Sequence, residues 1–183
     1  MRNVLKMFVR VVAAALVAVP GLLSLIDERI YMAFAQVMAA IPGDIGSYLR
    51  VAFYTITLER CSRNVSIGWL TYFSRRRARV ESGVCIGAAC VIGDAVILSG
   101  THIASGVHIV SGLRQHVRAA DGALVEGQFE RVTIGPHAWL GEGATVGANV
   151  GNRATVALGA VVMHQIPDGA MAVGNPARNI LQD

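Results

Sequence analysis

The chain has 183 residues, a formal net charge of +4 and a mean hydropathy of +0.51. That length fits one domain with an appendage. Its three cysteines, Cys61, Cys85 and Cys90, are too few and too irregularly spaced for a disulfide framework or a zinc site, and they suit a reducing compartment.

In chain order, Arg2, Lys6 and Arg10 sit among apolar residues, and Val11 to Ile26 carries no charge although Pro20, Gly21 and Ser24 interrupt it. Asp27-Glu28-Arg29 separates this run from a second apolar run, Ile30 to Ile41. The first run is shorter than the roughly 20 residues a spanning helix needs, and a cleaved signal peptide is not favoured because no convincing small-residue cleavage site directly follows it. The reading favoured is an interfacial or re-entrant pair of helices; a purely soluble helical cap on a trimer is the alternative. Basic residues flank the region on both sides, with Arg50, Arg60 and Arg63 after it. Both flanks therefore favour the same, cytoplasmic side. Residues 1–60 are read as this helical, membrane-associating segment. A turn-rich joint at Ile41-Pro42-Gly43-Asp44-Ile45-Gly46 precedes a helix from Tyr48 to Leu58.

From about Val65 the sequence repeats every six residues. An aliphatic residue followed by a tiny one recurs at Ile86-Gly87, Ile92-Gly93 and Leu98-Ser99, at Ile134-Gly135, Leu140-Gly141 and Val146-Gly147, and at Val156-Ala157. Helices repeat their apolar residues at about 3.6 and flat strands at 2; a sustained six instead describes a triangular prism, one short strand per face and three faces per coil. The repeat predicts about four to five coils between residues 61 and 166. It predicts a one-residue slip between Leu98 and Ile103 and an early valine at Val150. Ser74-Arg75-Arg76-Arg77-Ala78-Arg79 breaks the register, as a solvated corner or as a site for an anionic lipid headgroup or lipid-linked pyrophosphate. With no aromatic interleaving and no reader fold, nucleic acid is excluded as the partner.

The pattern stops at residues 114–131, which carry Arg114, His116, Arg118, Asp121, Glu126, Glu130 and Arg131. A long loop thrown out of a regular stack is most often functional. After Val162 the chain leaves the coils through Ile166-Pro167-Asp168-Gly169 into a tail, residues 167–183, that contains Gly174-Asn175-Pro176-Ala177-Arg178.

The repeats, the stretch Ser111-Gly112-Leu113-Arg114-Gln115-His116 and the Gly-Asn-Pro-Ala-Arg tail together resemble the hexapeptide-repeat acyltransferases, most closely the polysaccharide and sugar O-acetyltransferases. The resemblance covers the last two thirds of the chain. It implies a mainly β fold, a left-handed parallel β-helix, and a homotrimer with active sites between subunits. It also implies acetyl-CoA as co-substrate, no metal, and a carbohydrate or lipid-linked carbohydrate acceptor. Together with the N-terminal segment, it places the protein on the cytoplasmic face of the inner membrane, making or modifying a surface polysaccharide.

Acyl transfer to a hydroxyl needs a group that removes the hydroxyl proton, and a neutral imidazole serves at neutral pH. His116, at the start of the extruded loop, is the candidate base, and the resemblance implies the same role for it. In the small sugar acetyltransferases the corresponding histidine falls earlier, where this chain has Arg114. Asp121 or Glu126 would orient the imidazole, and a backbone carbonyl would serve equally. The resemblance further implies cofactor contacts at Trp139, at Gly141 and Gly159 along the pantetheine arm, at His164 in a place usually held by lysine, and at Arg178 near the adenosine phosphates, where a guanidinium fork suits phosphate. His102 and His108, six residues apart, are read as structural. Two other readings stand beside this one. One is a zinc hydratase like the γ-type carbonic anhydrases, using His102, His108 and His137. The other is a non-catalytic solenoid scaffold.

Overall fold

The structure, a computed structural model, describes the backbone of residues 2–180 and side chains from residue 7 to residue 180. Residues 181–183 of the tail, and the side chains of Arg2 and Lys6 in the N-terminal basic flank, lie outside the described residues. Three helices come first: α1 (Arg2–Leu23), α2 (Glu28–Ala40) and α3 (Gly43–Thr57). Asp27 caps α2, its carboxylate accepting the Arg29 N–H at 2.7 Å. The joint after α2 is shorter than the sequence suggested, because α3 already begins at Gly43.

The β-strands then wind as a prism. The first coil holds β1 (Arg60–Cys61), β2 (Ser66–Ile67) and β3 (Tyr72–Phe73). The second holds β4 (Arg79–Val80), β5 (Cys85–Ile86) and β6 (Val91–Ile92), and the third β7 (Ala95–Ile97), β8 (His102–Ile103) and β9 (His108–Ile109). A hairpin of β10 (His116–Arg118) and β11 (Leu124–Glu126) interrupts the winding. The fourth coil holds β12 (Val132–Ile134), β13 (Trp139–Leu140) and β14 (Thr145–Val146). The fifth places Val150 as a bridge beside β15 (Thr155–Val156) and β16 (Val161–Val162). Ile166 and β17 (Met171–Val173) begin a sixth, and β18 (Arg178–Ile180) folds back antiparallel on β17.

Equivalent strands pair in parallel into three faces. One face runs β1-β4-β7-β12, a second contains β2, β5, β8, β13, β15 and β17, and the third runs β3-β6-β9-β14-β16. The inward column of the second face, Ile67, Ile86, Ile103, Leu140, Val156 and Ala172, is buried throughout. Such stacking makes one continuous core, each buried aliphatic contributing about 1.5–3 kcal/mol.

Coiling starts one face before Val65, with Cys61 as its first inward residue. The one-residue slip lies between Ile92 and Ile97, not between Leu98 and Ile103, because Ile97 rather than Leu98 points inward. All departures from six fall on one edge of the prism, between the third face and the first. There the inward residues step from Phe73 to Val80, Ile92 to Ile97, Ile109 to Ile134, Val146 to Val150 and Val162 to Ile166. The other two edges keep the six-residue step, so the hairpin leaves from the one edge that varies.

Helices α2 and α3 close the open end of the first coil. Tyr31, Phe53, Tyr54 and Phe73 are buried together, with Tyr54 and Phe73 edge to face at 4.7 Å. The Tyr31 hydroxyl donates to the Phe73 carbonyl at 2.7 Å, and the Phe73 N–H donates to the Tyr54 hydroxyl. Burial holds both phenols well above their ordinary pKa. Arg50, wholly buried, donates to the carbonyls of Met38, Ala39 and Ile41 at the end of α2 and to that of Ile67 in the first coil. The buried face of the second apolar run, Tyr31, Ala35, Met38 and Ala39, thus caps the first coil.

Helix α1 packs on α3 through Ala13, Val17 and Gly21, whose missing side chain admits Ile56. Its remaining sides are apolar and open, with Phe8, Leu16, Val19 and Leu22 each at least 60% exposed. Among the described residues, no helix is long and apolar enough to cross a membrane.

Candidate active site

The hairpin at 114–131 is built by a tight turn. The Asp121 carboxylate accepts the Ala123 N–H at 2.9 Å, and Gly122 takes a positive φ of 85°. Ala119 and Ala123 close the turn with a backbone hydrogen bond, and Gly127 N–H donates to the Gln115 carbonyl. Hydrogen-bonded pairs alternate along an antiparallel ladder. His116 and Glu126, which face each other across the strands, therefore form a non-hydrogen-bonded pair, the kind with the closer side chains. Of the two carboxylates weighed as partners for the imidazole, Glu126 stands opposite it, and Asp121 is occupied in the turn. The sequence carried a signal for this: Asp121-Gly122 is a hairpin turn dipeptide, here between Val117 and Val125.

His116 is exposed at the start of β10. Gln115, its neighbour, lines a cleft of about 410 Å³ between α2 and the third face, bounded by Glu28, Met32, Ser74, Arg75 and His108. His108, read from sequence as structural, is the histidine whose side lines this cavity. A second hollow of about 270 Å³ lies on the other flank of the loop, among Arg114, Arg131, Asn149, Met163 and Gln165.

The hairpin's returning end is tied to the coils by ion pairs. Asp94, buried, accepts from Arg131 Nε at 2.7 Å and pairs with Arg77 at 3.4 Å. Arg131 also reaches Glu59 at 2.8 Å and the Arg77 carbonyl at 2.7 Å. Hydrogen bonds from Arg79 and Arg131 pull the Glu59 carboxyl down to about 2. The Arg75 guanidinium lies 3.9 Å from the centre of the Phe129 ring. Arg76 pairs with Glu28 at 2.7 Å and reaches the Ser24 and Leu25 carbonyls. The arginine run is therefore neither a bare solvated corner nor a free anion site: Arg75, Arg76, Arg77 and Arg79 each have a partner inside the chain.

A single chain does not gather the predicted cofactor residues. Trp139 projects from the second face between His102 and Thr155, half exposed. Arg178 lies at the edge of that same sheet in β18, exposed. His164 is exposed after β16 on the variable edge. Gly141 and Gly159 occupy corners between the second and third faces. A Cβ on Gly141 would stand 2.5 Å from the Leu158 nitrogen of the next coil, so close coil stacking requires this glycine; Gly159 has a positive φ of 65° and open space around it. His102 and His108 point from different faces, and His137 occupies a corner with φ 57°. These three do not converge within one chain, and the described residues hold no cluster of three or more metal-binding side chains.

The cysteines divide. Cys61 and Cys90 are buried, and burial pushes the Cys61 thiol up to about 12 and the Cys90 thiol upward as well. Cys85 instead projects from the second face, exposed, with its sulfur 2.9 Å from the Ser66 hydroxyl.

No family profile matches the chain. Over 51 residues it is 41% identical to YJL218W of Saccharomyces cerevisiae, whose name reads "putative acetyltransferase"; the match spans 27% of this chain and 26% of that protein. Among solved structures it is similar to a galactoside acetyltransferase in complex with coenzyme A (17% identity, 87% of this chain and 82% of that one, TM-score 0.70). It is also similar to a maltose O-acetyltransferase from Clostridium difficile 630 (19% identity, 84% of each chain, TM-score 0.64). A third similar structure is a hexapeptide-repeat-containing acetyltransferase, VCA0836, from Vibrio cholerae (17% identity, 84% and 89%, TM-score 0.56). The fold is thus the parallel β-solenoid that these acetyltransferases share.

Proposed function

We propose that this chain is an O-acetyltransferase that moves an acetyl group from acetyl-CoA to a sugar hydroxyl. The observation that carries the reading is the hairpin bearing His116, thrown out from the variable edge of a solenoid whose fold is that of sugar acetyltransferases. The local yeast match and the coenzyme A complex of the galactoside enzyme support the same chemistry.

In this mechanism the His116 imidazole accepts the proton of the acceptor hydroxyl as its oxygen attacks the thioester carbonyl. The tetrahedral intermediate collapses, the C–S bond breaks, and the CoA thiolate leaves with the proton returned by the His116 imidazolium, which restores the neutral base. No enzyme nucleophile is needed, which agrees with the buried, protonated Cys61 and Cys90. Arg178, His164 and Trp139 are assigned to CoA, and a homotrimer would draw these residues from two subunits into one site. The acceptor we favour is a lipid-linked precursor of a surface polysaccharide. The open apolar sides of α1, with exposed Arg10 and Arg29 nearby, suit docking to an anionic bilayer at the cytoplasmic face of the inner membrane.

The test is thiol release by the purified full-length protein from acetyl-CoA with a panel of sugar acceptors. His116→Ala should lower turnover by about a hundredfold or more and leave the assembly unchanged. Undiminished turnover in that variant removes His116 from the chemistry. Because His108 lines the larger cleft, a second reading makes it the base; His108→Ala, assayed alongside, separates the two.

A further inference from the structure

We infer that Asp94 and Arg131 are positioning residues, which hold the root of the hairpin so that His116 returns to one place at each turnover. This rests on the acetyltransferase reading for its catalytic consequence only; the clamp itself is a geometric statement.

A two-stranded hairpin is marginal by itself in water, and every residue of β10 and β11 is exposed. Its position must therefore be set where it joins the coils. On the outgoing side, buried Ser111 accepts the Asp94 N–H on its hydroxyl at 2.8 Å. On the returning side, Glu130 N–H donates to the Ser111 carbonyl and Val132 N–H to the Asp94 carbonyl. Asp94 thus meets both ends of the insertion through its backbone, and its carboxylate reaches Arg131 at the last residue of the loop. The Arg131 fork engages Asp94, Glu59 and the Arg77 carbonyl together, which joins the hairpin root to the first three coils. Arg75 stacked over Phe129 adds a contact from the same corner. A planar guanidinium with fixed donors suits this task better than an ammonium.

The experiment uses the full-length protein with Arg131→Met, Arg131→Lys and, because loss of a buried carboxylate endangers folding, Asp94→Asn as a separate variant. Amide hydrogen exchange is followed at Gly127, Gln128 and Glu130, and at Leu140 and Val156 as coil references. Expected for Arg131→Met is exchange at the hairpin root faster by tenfold or more, with the coil references changed less than twofold. Arg131→Lys should fall between this variant and wild type. Turnover should drop by tenfold or more while KM for acetyl-CoA stays unchanged. Unchanged exchange at the hairpin root, or equal acceleration in the coils, overturns the clamp. Selective loosening of the hairpin with no acetyl transfer in any form, wild type included, leaves the clamp standing and removes the acetyltransferase reading instead.

Discussion

His116 and Glu126 occupy directly opposed positions in the two strands of the hairpin. A carboxylate in that position can fix the orientation of an imidazole, which is the task an acidic partner performs for a histidine base. Glu126→Ala should therefore lower turnover by about tenfold or more and leave KM for acetyl-CoA unchanged, with Glu126→Gln recovering part of the loss. Asp121 accepts a hydrogen bond within the turn, so Asp121→Asn should act on hairpin stability rather than on the base directly. Steady-state kinetics of the three variants decides between the carboxylates. Full activity in Glu126→Ala would end the pairing proposal.

Arg50 carries a stability prediction free of any assumption about catalysis. Its guanidinium is buried and bonded only to carbonyls, three of them at the end of α2, where a cation also meets the negative end of the helix dipole. Burial lowers its pKa, since desolvation disfavours the charged form. Arg50→Met keeps the bulk and removes the donors. It should cost about 3 kcal/mol, because several buried carbonyls lose a charged partner. Denaturant unfolding checks this, and a loss below about 1 kcal/mol would show that water or rearrangement satisfies those carbonyls.

Glu59 predicts how stability responds to acid. Its carboxyl is held at about 2, below the ordinary 4.5, by hydrogen bonds from Arg79 and Arg131. A depressed folded-state pKa contributes stability that is complete above about 4.5 and is lost as pH falls toward about 2. The wild-type melting temperature should fall more steeply across that window than that of Glu59→Gln, and the two curves should converge at its acid end. Parallel curves would mean that the arginines do not stabilise the folded state through this carboxylate.

The solenoid was legible because its core repeats at a fixed period. Ile86, Ile92, Ile103, Leu140 and Val156 all point inward as the six-residue step requires. Where two aliphatics adjoin, as at Ile97-Leu98, period alone cannot choose, and the small residue after Leu98 pointed to the wrong one. The six-residue pattern is traceable only from about Val65 because Arg60-Cys61 looks like no aliphatic-small pair, although the coil domain is bounded at residue 61. Hydropathy could not separate a membrane run from a cap, since Tyr31, Ala35 and Met38 would be equally apolar facing lipid or facing Phe73. The arginine run could not be paired from sequence either. Glu28, Glu59 and Asp94 come to it only once the coils are stacked, and Phe129 comes to it only once the hairpin has returned. The long interruption at 114–131 announced a functional insertion, but the opposition of His116 and Glu126 depends on hairpin register, which the turn at Asp121-Gly122 sets.

Gly141 and Gly159 separate two reasons for a glycine at a corner of the prism. A Cβ at Gly141 would meet the Leu158 nitrogen at 2.5 Å and the Val156 carbonyl oxygen at 2.8 Å. These are backbone atoms of the next coil and cannot swing aside, so Gly141→Ala must push two coils apart. Overpacking of this kind costs about 1–3 kcal/mol. At Gly159 an added Cβ meets nothing, and the cost is the left-handed backbone alone, about 1 kcal/mol. Gly141→Ala should therefore lower the melting temperature more than Gly159→Ala does. If Gly159 also lies against a pantetheine arm, Gly159→Ala should raise KM for acetyl-CoA out of proportion to its small effect on stability. A KM that stays constant in Gly159→Ala would leave this glycine with a conformational role only and would take it out of the cofactor site.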